Sequence, residues 1–335
     1  MNAPMNPNKA LWEKGDFTRI AESMRESGEA LIHRVGISNG LKVLDLGCGD
    51  GTTAIPAAKL GAEVLGIDIA SNLVAAGNKR ARDLGLANCR FHEGDAANLH
   101  QVPEQAFNLV VSIFGAMFAP KPFEVAKEMV RVTRPGGRII MGNWIPNDPT
   151  LVAQILKISS AYTPPPPEGF VSPMTWGIES NVIERFAGAG VPAANIAFAR
   201  DTFPFNYPYP PATFADQFRK YYGPTMNAFE AAEKNNQAAD LQKELEELFK
   251  SREPKPSQRS HVHSCNLPPR HGCALKGFRW PPLPRTLSIT LAGSESEACF
   301  RRRAGQPDRN PKPSASLPPA IQKPLLVTGY IPSGP

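Results

Sequence analysis

The chain has 335 residues, 41% hydrophobic and 20% charged, which is enough to bury one large core or two smaller ones. Its net charge of +6 is uneven, because residues 1–250 carry −3 and residues 251–335 carry +9. The excess of basic residues lies in the tail, so it does not predict that the first 250 residues bind nucleic acid. The N-terminus lacks the apolar stretch of a secretory signal, the longest apolar run (107–119) is too short to span a bilayer, and five cysteines form no disulfide pattern. We expect a cytoplasmic protein without a membrane span.

Apolar periodicity predicts alternating helices and strands up to Trp144. Ser71 is expected to be the N-cap of a helix that stops at Gly85, and Arg134–Gly137 to break the chain before the fifth strand. The predicted elements are a helix over 18–35, strands over 42–46, 63–69, 89–93, 108–114 and 138–144, and further helices over 52–60, 71–85 and 122–133. This alternation predicts an α/β fold: a doubly wound, mostly parallel Rossmann-like sheet with helices on both faces.

After Trp144 the pattern is less regular. The predicted elements there are helices over 151–162, 180–188, 214–222 and 238–250, an extended proline segment over 164–167, and a strand over 195–205. We therefore predict a leader with a capping helix over 1–35 and one domain over 36–250. In that domain, residues 36–145 form a ligand-binding core and residues 146–250 cover it and shape a second pocket.

Residues 251–335 are rich in proline, arginine and serine, and this composition predicts a disordered tail. Residues 285–292 alternate weakly and are the better candidate for one more strand, while 325–331 are a poorer one. Our hypothesis is that the tail adds nothing to activity. His261, His263 and Cys265, with His271 and Cys273, are metal-ligand residue types, but their spacing matches no familiar zinc pattern, so no metal site is predicted.

The most informative stretch is the predicted strand and glycine turn over 43–51. Gly47, Gly49 and Gly51 lack a Cβ, so the backbone can turn sharply and approach a ligand, and the N–H groups of the next helix point at it. Asp68 ends the second strand, where an acid can accept hydrogen bonds from both ribose hydroxyls. The order of strand, glycine turn, helix, strand and acid predicts a nucleoside-binding site.

The glycine spacing distinguishes between nucleosides. Dinucleotide sites use G-x-G-x-x-G, whereas this chain has G-x-G-x-G with Asp45 two residues before the first glycine. A carboxylate there would repel a pyrophosphate and suits a ligand with an ammonium group. An NAD(P)-dependent oxidoreductase stays as the less favoured alternative.

The full order, with Gly94-Asp95-Ala96 after the third strand, resembles the class I S-adenosylmethionine (SAM) methyltransferases. The resemblance implies that the glycines pass under the methionyl group beside Asp45, that Asp68 holds the ribose, and that Asp95 accepts from the adenine amino group. The residues it implies for cofactor binding are Asp45, Gly47, Cys48, Gly49, Gly51, Asp68, Ile69, Asp95, Ala96 and Ser112.

Further motifs, such as Trp12-x-x-Gly-Asp-Phe17 and Ser112–Ala119, resemble the small-molecule branch related to ubiquinone/menaquinone-biosynthesis methyltransferases (methyltransferase type 11), over about residues 10–250. That branch implies SN2 methyl transfer to a small organic acceptor, with a catalytically inactive binding or scaffold protein as the alternative. The aromatic and methionine candidates for a pocket suited to a planar or lipophilic acceptor are Trp12, Phe17, Phe114, Met117, Phe118, Trp144, Trp176 and Tyr221.

Methyl transfer from a sulfonium is a direct displacement that needs a general base only if the acceptor must lose a proton. We therefore name no catalytic residue. The polar candidates near the strand ends and in the leader are Ser112, Asn143, Asp16 and His33.

Overall fold

The computed structural model describes residues 8–201 and 203–251, and the backbone of residues 325–330. In this part of the chain, seven strands form one sheet in the order β3-β2-β1-β4-β5-β7-β6. The strands are β1 Lys42–Leu46, β2 Glu63–Asp68, β3 Cys89–Glu93, β4 Phe107–Ile113, β5 Thr133–Asn143, β6 Ile196–Arg200 and β7 Leu325–Tyr330. The helices are α1 Asn8–Glu13, α2 Thr18–Ala21, α3 Arg25–Val35, α4 Ala54–Lys59, α5 Ser71–Asp83, α6 Pro122–Val132, α7 Leu151–Ala161, α8 Glu179–Gly188, α9 Pro211–Tyr221, α10 Gly223–Lys234 and α11 Ala238–Lys250.

Strands β1 to β5 are parallel, and their apolar runs are buried on both faces of the sheet. Val43 and Leu44 of β1 and Leu109 and Val110 of β4 are completely buried, as expected for strands that helices cover on both sides. The chain winds from β1 to β3 in one direction and from β4 to β5 in the other. Right-handed crossovers therefore put α4 and α5 on one face and α6 on the other. The predicted fold class is confirmed.

Two local predictions were wrong. Ser71 is the first residue of α5 and not its N-cap, because its hydroxyl donates to Glu13 of α1 at 2.6 Å. The predicted break at 134–137 lies inside β5 as a bulge, since Thr133 pairs with Phe107 and regular pairing with β4 resumes only at Arg138.

Four helices, α7, α9, α10 and α11, form a second apolar cluster beside the sheet core. Phe214 and Phe218 of α9 pack edge-on or tilted against Phe249 of α11, with ring centroids 5.4 Å apart in both pairs. Helix α10 was not predicted, because Gly223-Pro224 resembles a chain break. Proline is instead tolerated in the first turn of a helix, where its missing N–H would have no intrahelical partner.

The strand that completes the sheet is β7, from the poorer of the two candidates in the tail. It pairs antiparallel with both β5 and β6. Residues 325–330 therefore belong to the sheet, where they lie between β5 and β6. Whether the tail contributes to activity is a separate question, and the hypothesis that it does not stays a prediction. The preferred candidate, 285–292, and the histidines and cysteines of 261–273 lie outside the described residues, as does the rest of the tail beyond 251.

We predict that Val327→Pro destabilises the protein. Val327 pairs with Met141 of β5 and Phe198 of β6, and a proline at a central strand position removes a ladder donor and fixes φ. The expected loss is about 2–4 kcal/mol in the free energy of unfolding, measured by urea denaturation. Deletion of residues 331–335, which lie beyond the strand, is the control. An unfolding curve that Val327→Pro leaves unchanged would place β7 outside the sheet.

Candidate functional site

A cleft lies at the carboxyl ends of β1, β2, β3 and β4, and the N-terminal helices form its opposite wall. This is where open parallel sheets bind ligands. Most of its described polar lining comes from the ends of β1, β2 and β3 and the loops that follow them, with Asn8 of α1 in addition. Its aromatic lining comes from α1, the α1–α2 loop and the segments after β4 and β6. In the described part of the chain, no helix is long and apolar enough to cross a membrane.

The glycine turn after β1 is fixed by contact with the loop after β4. Gly47 has a φ of +68°, and its N–H donates to the carbonyl of Ile67 at 2.7 Å. A Cβ at Gly115 would lie 2.2 Å from the Gly47 carbonyl oxygen. The two loops therefore touch backbone to backbone, and this contact requires glycine on both sides.

Asp68, the last residue of β2, holds the glycine turn from the other side. Its Oδ2 accepts from Gly49 N–H at 2.8 Å and its Oδ1 from Ala70 N–H at 2.9 Å. Burial raises the pKa of this carboxyl, and the backbone donors partly offset the effect. A carboxylate has about four acceptor positions, so both oxygens can accept further hydrogen bonds from a ligand in the cleft.

Asp45 lies under the turn and outside the lining. Its Oδ2 accepts a short hydrogen bond from the Thr53 hydroxyl, while its Oδ1 has no partner among the described residues. Complete burial raises its pKa to about 7, and the nearby charge of Asp68 acts in the same direction. A positive charge above the turn would stabilise the ionised form of Asp45.

Asp50, which was not among the predicted site residues, lines the cleft within the glycine turn. Arg25 of α3 donates from Nη1 to Asp50 Oδ1 and to Thr52 Oγ1, both at 2.8 Å, and Nη1 of Arg80 lies 3.7 Å from Asp50 Oδ2. Its position inside the glycine motif could have identified Asp50. Arg25 gave no signal, because nothing in the helical pattern distinguishes it from other arginines.

The predicted cofactor residues divide into two groups. Those that line the cleft are Gly47, Cys48, Gly49, Asp68, Ile69, Asp95 and Ala96; those that lie outside its lining are Asp45, Gly51 and Ser112. Asp95 Oδ1 accepts from Ala97 N–H at 2.8 Å. Ser112 donates to the Leu46 carbonyl at 2.6 Å and accepts from Ala116 N–H at 3.0 Å, so its hydroxyl joins β1 to the loop after β4.

Five aromatic residues line the cleft and are called the aromatic wall below: Trp12, Phe17, Phe114, Phe118 and Phe203. The Trp12 ring packs edge-on against Phe17 at 5.7 Å and Phe118 at 4.9 Å. Phe114 has a φ of +62°, an unusual conformation for a bulky residue. Its ring stacks on Trp144 at 3.7 Å, and Phe203 meets it edge-on at 5.0 Å.

Four predicted pocket residues lie outside the cleft lining: Met117, Trp144, Trp176 and Tyr221. Trp144 supports Phe114 from behind, and the buried Trp176 lies under the Arg185 guanidinium at 4.5 Å. Phe203 was missed because it fell within the predicted strand over 195–205, whereas β6 ends at Arg200. The four polar candidates, Ser112, Asn143, Asp16 and His33, are also outside the lining.

We predict that Gly115→Ala disrupts the turn, because its Cβ would overlap the Gly47 backbone. The expected results are a loss of about 1–3 kcal/mol in unfolding free energy and weaker binding of S-adenosylhomocysteine in calorimetry. Gly188→Ala is the matched control, since the nearest atom to its Cβ would be 3.8 Å away in Phe123. Equal affinities of the Gly115→Ala and Gly188→Ala proteins would show that the loop contact does not shape the site.

Comparisons with known proteins agree with this geometry. A family described as "Methyltransferase domain" matches residues 37–175. The uncharacterized protein Rv1403c of Mycobacterium tuberculosis is 32% identical over 250 residues, which are 73% of this chain and 88% of that protein. A demethylmenaquinone methyltransferase of a Geobacillus species is 32% identical over 115 residues, 33% of this chain and 49% of that enzyme.

Solved structures are similar at lower identity. YcgJ from Bacillus subtilis has a TM-score of 0.44 at 19% identity, covering 64% of this chain and 87% of its own. A SAM-dependent methyltransferase from Aquifex aeolicus has a TM-score of 0.39 at 18% identity, covering 60% of this chain and 89% of its own.

The family match covers the glycine turn, Asp68, Asp95 and the loop after β4, and the mycobacterial relative extends the similarity over most of the described residues. These are the segments that form the cleft at the strand ends. The chain belongs to the class I SAM-dependent methyltransferases, and it is an enzyme whose cofactor is S-adenosylmethionine.

Proposed function

We propose that the enzyme methylates a small organic acceptor that is planar or apolar, and that this acceptor binds against the aromatic wall. The wall is the observation that carries the proposal, because five of the described lining residues are tryptophan or phenylalanine. Aromatic side chains offer large apolar faces and favour offset-stacked or edge-on contact with another ring.

The cofactor is proposed to lie along the polar side of the cleft. Its methionyl group would lie over the glycine turn, its ribose hydroxyls would donate to Asp68, and its adenine amino group would donate to Asp95. The carboxylates of Asp50, Asp68 and Asp95 line this side, with Asp45 beneath it. This negative surface supports binding of a ligand with an ammonium and a sulfonium group.

In this arrangement the acceptor would meet the methyl group between the cofactor and the aromatic wall. Direct displacement gains most from alignment of nucleophile, methyl carbon and leaving sulfur, and from exclusion of water. The Phe114 ring is held rigidly between Trp144 and Phe203, and aromatic faces attract a nearby cation. The Geobacillus relative is named for demethylmenaquinone, a ring compound, which supports an aromatic acceptor.

We predict that Asp68→Ala weakens S-adenosylhomocysteine binding, because the ribose would lose its charged acceptor. The expected loss is ~1.5–3 kcal/mol per hydrogen bond to the carboxylate, measured by calorimetry. Asp68→Asn keeps the side-chain volume and separates this loss from loosening of the Gly49 contact. Asp83→Ala is the control, since Asp83 is an exposed residue of α5 paired with Lys79. Unchanged affinity in both Asp68 variants would remove Asp68 from the cofactor site.

The proposed acceptor class is tested with a panel of phenols, hydroquinones, arenethiols and aromatic amines, against aliphatic amines and carboxylates. We predict that the aromatic members are methylated and that Phe118→Leu raises their KM. Loss of one aromatic contact is worth about 0.5–1.5 kcal/mol, which is roughly 2- to 10-fold in KM. Phe123→Leu is the control, because Phe123 is exposed and outside the lining. Transfer to aliphatic acceptors alone would contradict the proposal.

A further inference from the structure

The titratable side chains of the cleft are all on one side of it. Among the described residues that line it, they are Asp50, Asp68, Asp95 and Cys48, which lie in or next to the loops after β1, β2 and β3. That same described lining contains no histidine, lysine, arginine or tyrosine. The side formed by the aromatic wall therefore has no described group that could take a proton.

Each of the three acids already accepts a hydrogen bond within the protein. Asp50 is paired with Arg25, Asp68 accepts from two backbone N–H groups, and Asp95 accepts from Ala97 N–H. Burial raises the pKa of the Cys48 thiol well above its ordinary value, so this side chain stays neutral. These contacts hold the acids at the ends of β1, β2 and β3.

The hydroxyl-bearing residue behind the wall is also unsuited to accept a proton. Tyr222 packs against Trp12 at 5.9 Å and Phe17 at 6.1 Å and lies outside the lining. Burial raises its pKa, so it remains protonated. Asp16 is engaged in the α1–α2 loop, where it accepts from the Thr18 backbone N–H at 3.2 Å and from the Thr18 hydroxyl.

Building on the proposed function, we infer that the acceptor enters the cleft already ionised, as an arenethiolate or the phenolate of an acidic phenol. Its proton is lost to solvent before binding. In the transfer step, a lone pair of the acceptor forms the bond to the methyl carbon, the bond from that carbon to the sulfonium sulfur breaks, and its electron pair stays on sulfur. One cation and one anion give two neutral products, and the enzyme moves no proton.

The lining of the cleft favours an anion whose charge is spread over a ring over one whose charge is localised. A carboxylate or phosphate acceptor would lose its hydration shell against the aromatic wall. Among the described residues, no cation lines the cleft to compensate for the lost hydration. An aromatic thiolate or phenolate spreads its charge over a ring that the wall can contact. Its counter-charge would be the sulfonium of the bound cofactor, and the attraction between the two is strong in an environment that excludes water.

The test uses the full-length enzyme, saturating SAM and phenols of similar size but graded acidity, from 4-nitrophenol through 4-chlorophenol to 4-methylphenol. Production of S-adenosylhomocysteine gives kcat/KM for the acceptor as a function of pH. We expect kcat/KM to rise about tenfold per pH unit below the pKa of each phenol and to level off above that pKa. At neutral pH, thiophenol should react faster than phenol, which has the same shape but is less acidic.

Two variants check for a base outside the lining. His33→Gln and Asp16→Asn are expected to leave the pH at which each profile levels off unchanged. Three results would overturn this inference while the proposed function stands. They are a kcat/KM profile with the same inflection for all phenols, a kcat/KM that does not depend on pH, and a preference for neutral aromatic amines. If the protein binds S-adenosylhomocysteine but methylates no aromatic acceptor, charged or neutral, the proposed function fails and this inference fails with it.

Discussion

The backbone contact between Gly47 and Gly115 determines how the polar side and the aromatic side of the cleft meet. It joins the loop after β1, which carries the glycine turn, to the loop after β4, which carries Phe114 and Phe118. The Ser112 hydroxyl reinforces it by linking the Leu46 carbonyl to Ala116 N–H. Because β1 and β4 are neighbours in the sheet, small changes in their pairing would move both sides of the site together.

The two sides of the cleft differ in chemistry because they come from different layers of the fold. The acids lie at the ends of β1, β2 and β3, where loop N–H groups hold Asp68 and Asp95 and the Arg25 guanidinium holds Asp50. Most of the aromatic wall comes from segments that pack over the sheet, where the side chains were already needed for burial. The fold thus combines a polar surface and an apolar surface in one cleft.

The sequence located the polar lining of the cleft far better than its aromatic lining. Gly47, Asp68 and Asp95 follow successive parallel strands, and local patterns locate the ends of such strands. Arg25 and Phe203 reach the cleft region through tertiary packing between distant segments, which leaves no local pattern. Trp176 and Tyr221 are aromatic residues like Trp12, and the sequence alone does not show which of the three lines the cleft. Only the three-dimensional packing distinguishes them.

The position of β7 also has a consequence for how the protein is made. Helix α11 ends at Lys250, whereas the strand between β5 and β6 begins at Leu325. At roughly 5–20 residues per second of synthesis, a ribosome needs several seconds to translate the intervening chain. During that interval the nascent protein has β5 without its antiparallel neighbour, and an unpaired edge can join a second chain. Chaperone binding or slow translation in this window would therefore affect the yield of active enzyme without changing its site.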